Sequence, residues 1–310
     1  MTKAGSPPKV SVVIPARNAD SYIEETLQSL AGQTFAGFEA LIFDDGSTDR
    51  TSEVVMAFQE QSGDGRFALF DGPARGVSAA RNAGLERAKA PFTIFLDADD
   101  ILSPDALERF VAVLEGSSCA AALGQVLRIS EDGSAMPSPD NRALVPDDDQ
   151  LAALMRKNYI VNGGALAVRT SCARDCGAYD ETLRFGEDWE FWCRLLSAGP
   201  LAVVPGPPVL SYRQIPGGAN HQAKGSVFAR GIPCLSRIAD NPDMKARFGA
   251  RLPRMLRARR IDIFWSGVRT RFQYDSKTTA ALIAFAGLFV FPDSLARPGL
   301  ALRFLKSIGG

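Results

Sequence analysis

Short apolar runs alternate with helical patterns along the first hundred residues, the arrangement expected of βαβ units in a parallel sheet. Residues 10–14 form one such run and predict a buried strand. After a turn over residues 15–19, Ser21 with Glu24 three positions on reads as a capping box, and Ile23, Leu27 and Leu30 fall on one helical face. Residues 40–43 predict a second strand that runs directly into Asp44 and Asp45. Asp49 is placed to cap the next helix, and residues 67–70 predict a third strand. Residues 78–88 read as a helix of small side chains able to pack close to a sheet. Residues 92–96 predict a fourth strand, running into Asp97, and Ser103-Pro104-Asp105 starts a helix bearing Leu107, Phe110, Val111 and Leu114. Acidic residues therefore stand where two strands finish, the end at which open α/β sheets bind ligands.

Beyond residue 120 the pattern loosens. Glu131-Asp132-Gly133-Ser134 predicts a hairpin turn, and Pro137, Pro139 and Pro146 mark a polar loop. Gly186-Glu187-Asp188 opens a helix carrying Trp189, Phe191, Trp192, Leu195 and Leu196, and residues 209–212 read as a last strand. No internal repeat is found.

At 310 residues, 46% of them hydrophobic, the chain suffices for one large α/β domain plus an appendage. The net charge of zero conceals a division: residues 245–310 carry thirteen Lys and Arg against Asp262, Asp275 and Asp293, a balance of +10, which leaves −10 on the rest. An acidic body and a basic tail imply different partners. Phe264, Trp265 and Phe272 are interleaved with arginines there, so the tail can lie on an anionic membrane surface, or else dock on acidic protein, its own or a second copy's. The longest apolar run, residues 280–291, is too short to span a bilayer. Residues 1–10 lack the apolar core of a secretory signal, and the five scattered cysteines fit reduced thiols rather than a zinc site, so a cytoplasmic protein is expected.

Asp97-Ala98-Asp99-Asp100 puts three carboxylates in one turn after a buried strand, a hard-oxygen set suited to Mg²⁺ or Mn²⁺ that a nucleotide diphosphate can complete. An EF-hand-like reading fails at Ile101 and Leu102, which occupy the places of a ligand and the turn glycine. Asp45 can accept from a base imide or ribose hydroxyl, although Asp-Gly-Ser is also ordinary turn chemistry. Arg75 and Arg81 flank a helix start where a diphosphate can be held. Glu187 and Asp188 either cap their helix or supply a general base in a partly dry cleft. His221, the one histidine, follows Gly217-Gly218-Ala219-Asn220 and is a ligand only if its loop enters a cleft.

The order of these elements is more specific than any one of them. Val10-Ser11-Val12-Val13-Ile14-Pro15-Ala16-Arg17-Asn18, Gln33-Thr34-Phe35, Asp44-Asp45-Gly46-Ser47-Thr48-Asp49, Ala79-Ala80-Arg81-Asn82-Ala83-Gly84, Asp97-Ala98-Asp99-Asp100 and Gly186-Glu187-Asp188-Trp189-Glu190-Phe191-Trp192 together resemble the family-2 inverting glycosyltransferases, over residues 9–213. The resemblance implies a GT-A fold, α/β with a mostly parallel sheet, and a C-terminal helical extension beside it: residues 1–224 as catalytic domain, 225–310 as extension. It implies a UDP-sugar-like donor, a Mn²⁺ or Mg²⁺ cofactor and a saccharide or lipid-linked saccharide acceptor, with no nucleic acid. It assigns Pro15, Ala16 and Asp45 to the nucleoside, Arg75 and Arg81 to the base or diphosphate side, Asp97 and Asp99 to a DxD motif with Asp99 on the metal, Asp188 to the catalytic base, and His221 to the late histidine that often follows a Tyr-Arg pair, here Tyr212-Arg213. The segment before Gly76 departs from the usual Asn-x-Gly, and His221 lies farther from the Tyr-Arg pair than usual.

Two other functions use similar parts. A nucleotidyltransferase also needs metal-binding carboxylates and basic phosphate contacts, but the Gly-rich loop with lysine expected after the first strand is missing. A nucleotide-sugar-binding subunit without turnover is disfavoured because competent residues fill the metal and base positions.

Overall fold

A computed structural model describes residues 7–137, 145–215, 227–274 and 277–292. The chain divides into two compact units: Met1–Leu154, Asn158–Thr182 and Glu187–Ile215 form the first, and Met155–Lys157, Leu183–Gly186 and Pro216–Gly310 the second.

The first unit is α/β, and its strands fall close to the predicted runs. In chain order its elements are β1 (Val10–Ala16), α1 (Ile23–Ala31), β2 (Phe38–Asp44), α2 (Thr51–Ser62), β3 (Phe67–Asp71), α3 (Val77–Arg87), β4 (Phe92–Phe95), β5 (Ile101–Leu102), α4 (Ala106–Glu115), β6 (Ala121–Leu123), β7 (Val126–Ser130), β8 (Ala135–Met136), α5 (Gln150–Arg156, whose last two residues fall in the second unit), β9 (Leu166–Arg169), α6 (Thr170–Asp175), α7 (Glu187–Ala198), β10 (Leu201–Val203) and β11 (Leu210–Gln214). Seven strands form one sheet in the order β10-β6-β9-β4-β1-β2-β3, and a second sheet runs β5-β11-β7-β8. The large sheet is mixed: β1 pairs in parallel with β2 and β4, whereas β9 lies antiparallel between β4 and β6. The hairpin read around Gly133 is the β7–β8 pair.

Register fixes the working end of this sheet. Ala16 stands opposite Asp44, and Asp44 opposite Asp71, so β1, β2 and β3 finish in one row. Strand β1 is buried at every position and so on both faces, and Val12, Ile14, Ala40 and Ile42 form the core with Ile23, Leu27 and Leu30 of α1. Helix α3 approaches the sheet as its small residues allow: a Cβ on Gly84 would lie 2.2 Å from Val13 Cγ1.

Helix α1 starts differently from the predicted capping box. It begins at Ile23, with Ser21 donating to Asp20 Oδ1 at 3.2 Å rather than accepting from the helix. The Tyr22 and Ile23 N–H groups go to the Ala19 carbonyl instead. Asp49 holds the Thr51 N–H at 3.0 Å, as the sequence suggests for the start of α2.

The second unit is helical among its described residues: Val227–Asp240, Pro242–Phe248, Leu252–Tyr274 and Lys277–Val290. Asn241 caps the second of these, accepting from the Asp243 and Met244 N–H groups. The expectation that Phe264 and Trp265 lie on a surface is overturned: both are buried, packed with Ile261, Val268, Ala284 and Phe291. Phe272 has no described side chain. No described helix is long and apolar enough to cross a membrane, and none of the cysteines forms a disulfide.

Candidate active site

The carboxyl ends of β1, β2 and β4 set the site. Pro15 and Ala16 close β1, and the Ala16 carbonyl accepts the Asp45 N–H at 2.8 Å. Asp44 turns back on its own loop, where it accepts from Ser47 N at 2.8 Å and from the Ser52 hydroxyl. Burial alone would raise its pKa, but these donors hold it below the usual value. Buried Asp45 reaches across to the start of α3, accepting from Gly76 N at 2.7 Å and Arg75 N at 3.2 Å. Gly76 has φ of 108°, open only to glycine at low strain, so Asp45 pins an unusual turn. The Arg75 side chain is exposed and pairs with Glu181 at 3.1 Å.

Asp97, Asp99 and Asp100 do not form the triple-carboxylate set that their spacing suggests. Asp100 is fully buried and points inward, accepting from the Arg213 N–H at 2.9 Å and Asn162 Nδ2 at 2.7 Å. Burial, reinforced by Asp97 and Asp99, pushes its pKa well up. Arg213, from β11 in the other sheet, is itself buried. Its Nε donates to the Asp99 carbonyl at 3.0 Å, one terminal nitrogen to the Glu131 carbonyl at 2.7 Å, and the other pairs with Glu25. Thr26 of α1 adds a bond to the Ala98 carbonyl at 3.0 Å. Three elements distant in sequence thus fix one four-residue turn.

Asp97 and Asp99 are left facing the site. Among the described residues no side-chain donor reaches the Asp99 carboxylate, and burial, with Asp97 beside it, pushes its pKa up to about 6. A buried hard-oxygen group in that condition fits a divalent cation, whose charge would relieve the penalty. No three Asp, Glu, His or Cys side chains among the described residues converge as a complete ligand set, so donor phosphates or water would supply the remaining positions. His221 lies outside the described residues.

Arg81 joins the strand end to the helix start. It is 4% exposed, and its terminal nitrogens donate to Asp188 Oδ1 at 2.7 Å and Asp97 Oδ1 at 2.8 Å, with Glu187 at 4.0 Å. Burial would lower its pKa, but Asp188, Asp97 and Glu187 hold it well above the usual value. Both terminal nitrogens are engaged by protein carboxylates. Under the guanidinium lies an aromatic wall: its carbon is 5.1 Å from the Tyr179 ring centre, and Tyr179 stacks on Phe191 at 4.3 Å and meets Phe95 edge-on at 5.1 Å. Asn82, next in sequence, holds Tyr179 by its backbone, donating to its carbonyl and accepting from its N–H at 2.9 Å each.

Asp188 begins α7 with 31% of its side chain open, yet its carboxyl sits deep enough that desolvation pushes its pKa up, against the pull of Arg81. Glu187 is also driven up, to about 7, by burial and the neighbouring Asp188. The structure therefore brings Asp97, Arg81, Glu187 and Asp188 into one network and ties Asp45 to the Arg75 backbone. Asn162 and Tyr179 are supporting residues that the sequence did not single out, and Arg213, noted only as part of the Tyr-Arg pair, anchors the acidic turn. Asn162-Gly163-Gly164 carried a turn signal for the first, whereas nothing local marked Tyr179.

Residues 11–177 match the family described as Glycosyl transferase family 2. The chain belongs to that family. It is 30% identical over 212 residues to the putative teichuronic acid biosynthesis glycosyltransferase TuaG of Bacillus subtilis, covering 67% of this chain and 80% of that one. An uncharacterized glycosyltransferase of Haemophilus influenzae is 37% identical over 103 residues, 33% of this chain and 40% of its own, so that match spans less than half of the relative. Among solved structures, S. aureus TarS 1-349 in complex with UDP-GlcNAc aligns with a TM-score of 0.59 at 19% identity, covering 86% of this chain and 73% of that one. The mannosyltransferase PcManGT from Pyrobaculum calidifontis, in complex with GDP-Man and Mn²⁺, aligns at 0.61 and 18% identity over 98% of this chain and 85% of its own. These likenesses place the fold in the GT-A class.

Proposed function

We propose that the protein is an inverting glycosyltransferase that moves a sugar from a nucleotide-diphosphate sugar, of the UDP-sugar class, to an acceptor hydroxyl in polysaccharide or glycoconjugate synthesis. The observation that carries this reading is Arg81, which ties the acid at the end of β4 to the acid at the start of α7. In this reading residues 1–224 hold the catalytic machinery and residues 225–310 are its extension. Pro15, Ala16, Asp45 and Arg75 border the nucleoside, Asp97 and Arg81 the sugar diphosphate, and Asp99 holds Mn²⁺ or Mg²⁺. A bound cation there supplies neutralisation of the charge on the departing diphosphate.

The chain's own part is to orient the acceptor and take its proton. The acceptor oxygen attacks the anomeric carbon, the bond to the diphosphate oxygen breaks on the opposite face, and the hydroxyl proton passes to the Asp188 carboxylate. One displacement inverts the anomeric configuration. Arg81 opposes the desolvation that raises the Asp188 pKa and holds the carboxylate in one orientation, and the open third of the Asp188 side chain leaves room for the acceptor. A lipid-linked saccharide acceptor, met at the cytoplasmic face of a membrane, fits the +10 balance of residues 245–310.

The test separates binding from turnover. Asp188→Asn is expected to bind UDP-sugar with Mn²⁺ as the parent does, and to lose about 10²- to 10⁴-fold in kcat. Near-parental turnover would remove Asp188 from the role of base.

A further inference from the structure

The helix Lys277–Val290 has two apolar faces, and among the described residues only one is covered. Ala280, Ala284 and Gly287, with Phe291 just beyond, pack inward. A Cβ on Gly287 would lie 2.1 Å from Phe264 Cε1, so the helix sits hard against Leu252–Tyr274. The opposite face carries Leu282, Phe285, Phe289 and Val290, 61–75% exposed, at the i, i+3, i+7, i+8 spacing of one helical stripe. Phe285 and Phe289 stack edge-on at 5.2 Å, which makes a continuous apolar ridge. Four large exposed hydrophobics on a single stripe are not scattered surface residues but a patch that calls for a partner.

We infer that this ridge inserts into the interfacial region of an anionic phospholipid bilayer, with the arginines of the adjoining helix meeting the lipid phosphates. Two observations choose lipid as the occupant. First, residues 278–292 contain no charged side chain, whereas the helix against which they pack carries Arg254, Arg257, Arg259 and Arg260. By helical spacing Arg254 and Arg257 continue the stripe of Ile261, Phe264 and Val268 toward the N-terminus, and both are exposed. The helical pair thus carries both an uncharged apolar ridge and exposed arginines, the combination that binds anionic interfaces. Secondly, fourteen residues make a helix about 21 Å long at 1.5 Å per residue, short of the hydrocarbon thickness of about 30 Å. Such a helix lies in the interface plane rather than crossing. Phe264 and Trp265, buried beneath it, serve as its footing.

The proposal deepens the membrane location given above and rests on it, and the experiment tells the two apart. The full-length chain is sedimented with neutral phosphatidylcholine vesicles and with vesicles containing phosphatidylglycerol, at low and high salt, alongside Leu282→Ser/Phe285→Ser/Phe289→Ser and Arg254→Glu/Arg257→Glu. UDP release with a soluble acceptor and light-scattering mass are measured on each. Expected are binding to anionic vesicles that weakens with salt, a loss of about tenfold or more in partitioning for each variant, and unchanged UDP release. Phe285→Trp should shift its emission to the blue on binding and be quenched by brominated lipids. A parent that ignores anionic vesicles at low salt overturns both location and ridge. Parental binding by the serine variant keeps the location and overturns the ridge. A parent dimer that the serine variant converts to monomer assigns the ridge to a second copy of the chain and overturns the lipid proposal.

Discussion

Arg81 donates from one terminal nitrogen to Asp188 at 2.7 Å and from the other to Asp97 at 2.8 Å, so a single buried cation spans the proposed base and the strand-end acid. Its charge opposes the desolvation that raises the Asp188 pKa. Removing it in Arg81→Met must let that pKa climb further. Because the base works ionised, the acid limb of kcat against pH should move to higher pH, and Arg81→Lys should move it the same way by less. The methionine variant also leaves two half-buried carboxylates unpaired, at a stability cost below the about 3–5 kcal/mol of breaking a fully buried pair. An unmoved acid limb in the lysine variant would show that Arg81 does not tune Asp188.

Asp99→Asn should abolish Mn²⁺-dependent binding of UDP while leaving thermal unfolding no lower than in the parent, since an unpartnered, desolvated carboxyl is being replaced by a neutral group. Calorimetric titration of UDP with and without Mn²⁺ reads both arms. Equal affinity in parent and variant at the same metal concentration would take Asp99 away from the metal.

Glu187 gives a pH-dependent stability of opposite sign to an ordinary salt-bridged carboxylate. Its folded pKa, about 7, lies above the unfolded value, so the folded state binds more protons between these pH values and stability falls as pH rises through that window. Glu187→Gln has no such proton. The variant should therefore unfold at a higher temperature than the parent above pH 7, by roughly a few degrees, with the advantage vanishing below the usual glutamate range. A constant difference across pH would contradict this account.

Gly84→Ala gains helix propensity but places a methyl 2.2 Å from a branched Val13 atom on the facing strand. Overpacking of this kind costs about 1–3 kcal/mol, more than the roughly 1 kcal/mol that alanine returns. The urea midpoint should fall with the slope unchanged, and Val13→Ala in the same chain should recover part of the loss.

How far the sequence reaches can be seen from particular elements. Strands β1 to β4 were legible because each is an apolar run closed by turn or acidic residues, and α3 because Ala79, Ala80 and Gly84 leave nothing to hold it off the sheet. Strands β6, β9 and β10 span only three or four residues, too few for a period to appear, and the antiparallel place of β9 is set by pairing across the sheet. The candidate acids were legible for a similar reason, since strand-end carboxylates have a local signature. Their partners were not. Asp97 and Asp188 meet through Arg81 across intervals of 16 and 107 residues, and no window of sequence contains that geometry. The aromatics of the tail illustrate the reverse error: Phe264 and Trp265 looked like surface anchors among arginines, yet a second apolar helix covers them.

The seating of Asp100 on Arg213 has a consequence for the order of assembly. The carboxylate that locks the acidic turn takes a backbone N–H from a residue 113 positions further along, on a strand that completes the smaller sheet. Pairing at that separation is slow because loop closure precedes the gain from contact. During synthesis, the turn bearing Asp97 and Asp99 leaves the ribosome well before its anchor, and chains ending short of β11 carry a carboxyl that must be buried without its partner. The turn bearing Asp97 and Asp99 thus gains this anchor only once β11 has paired, so a nascent chain truncated before β11 holds the turn without it.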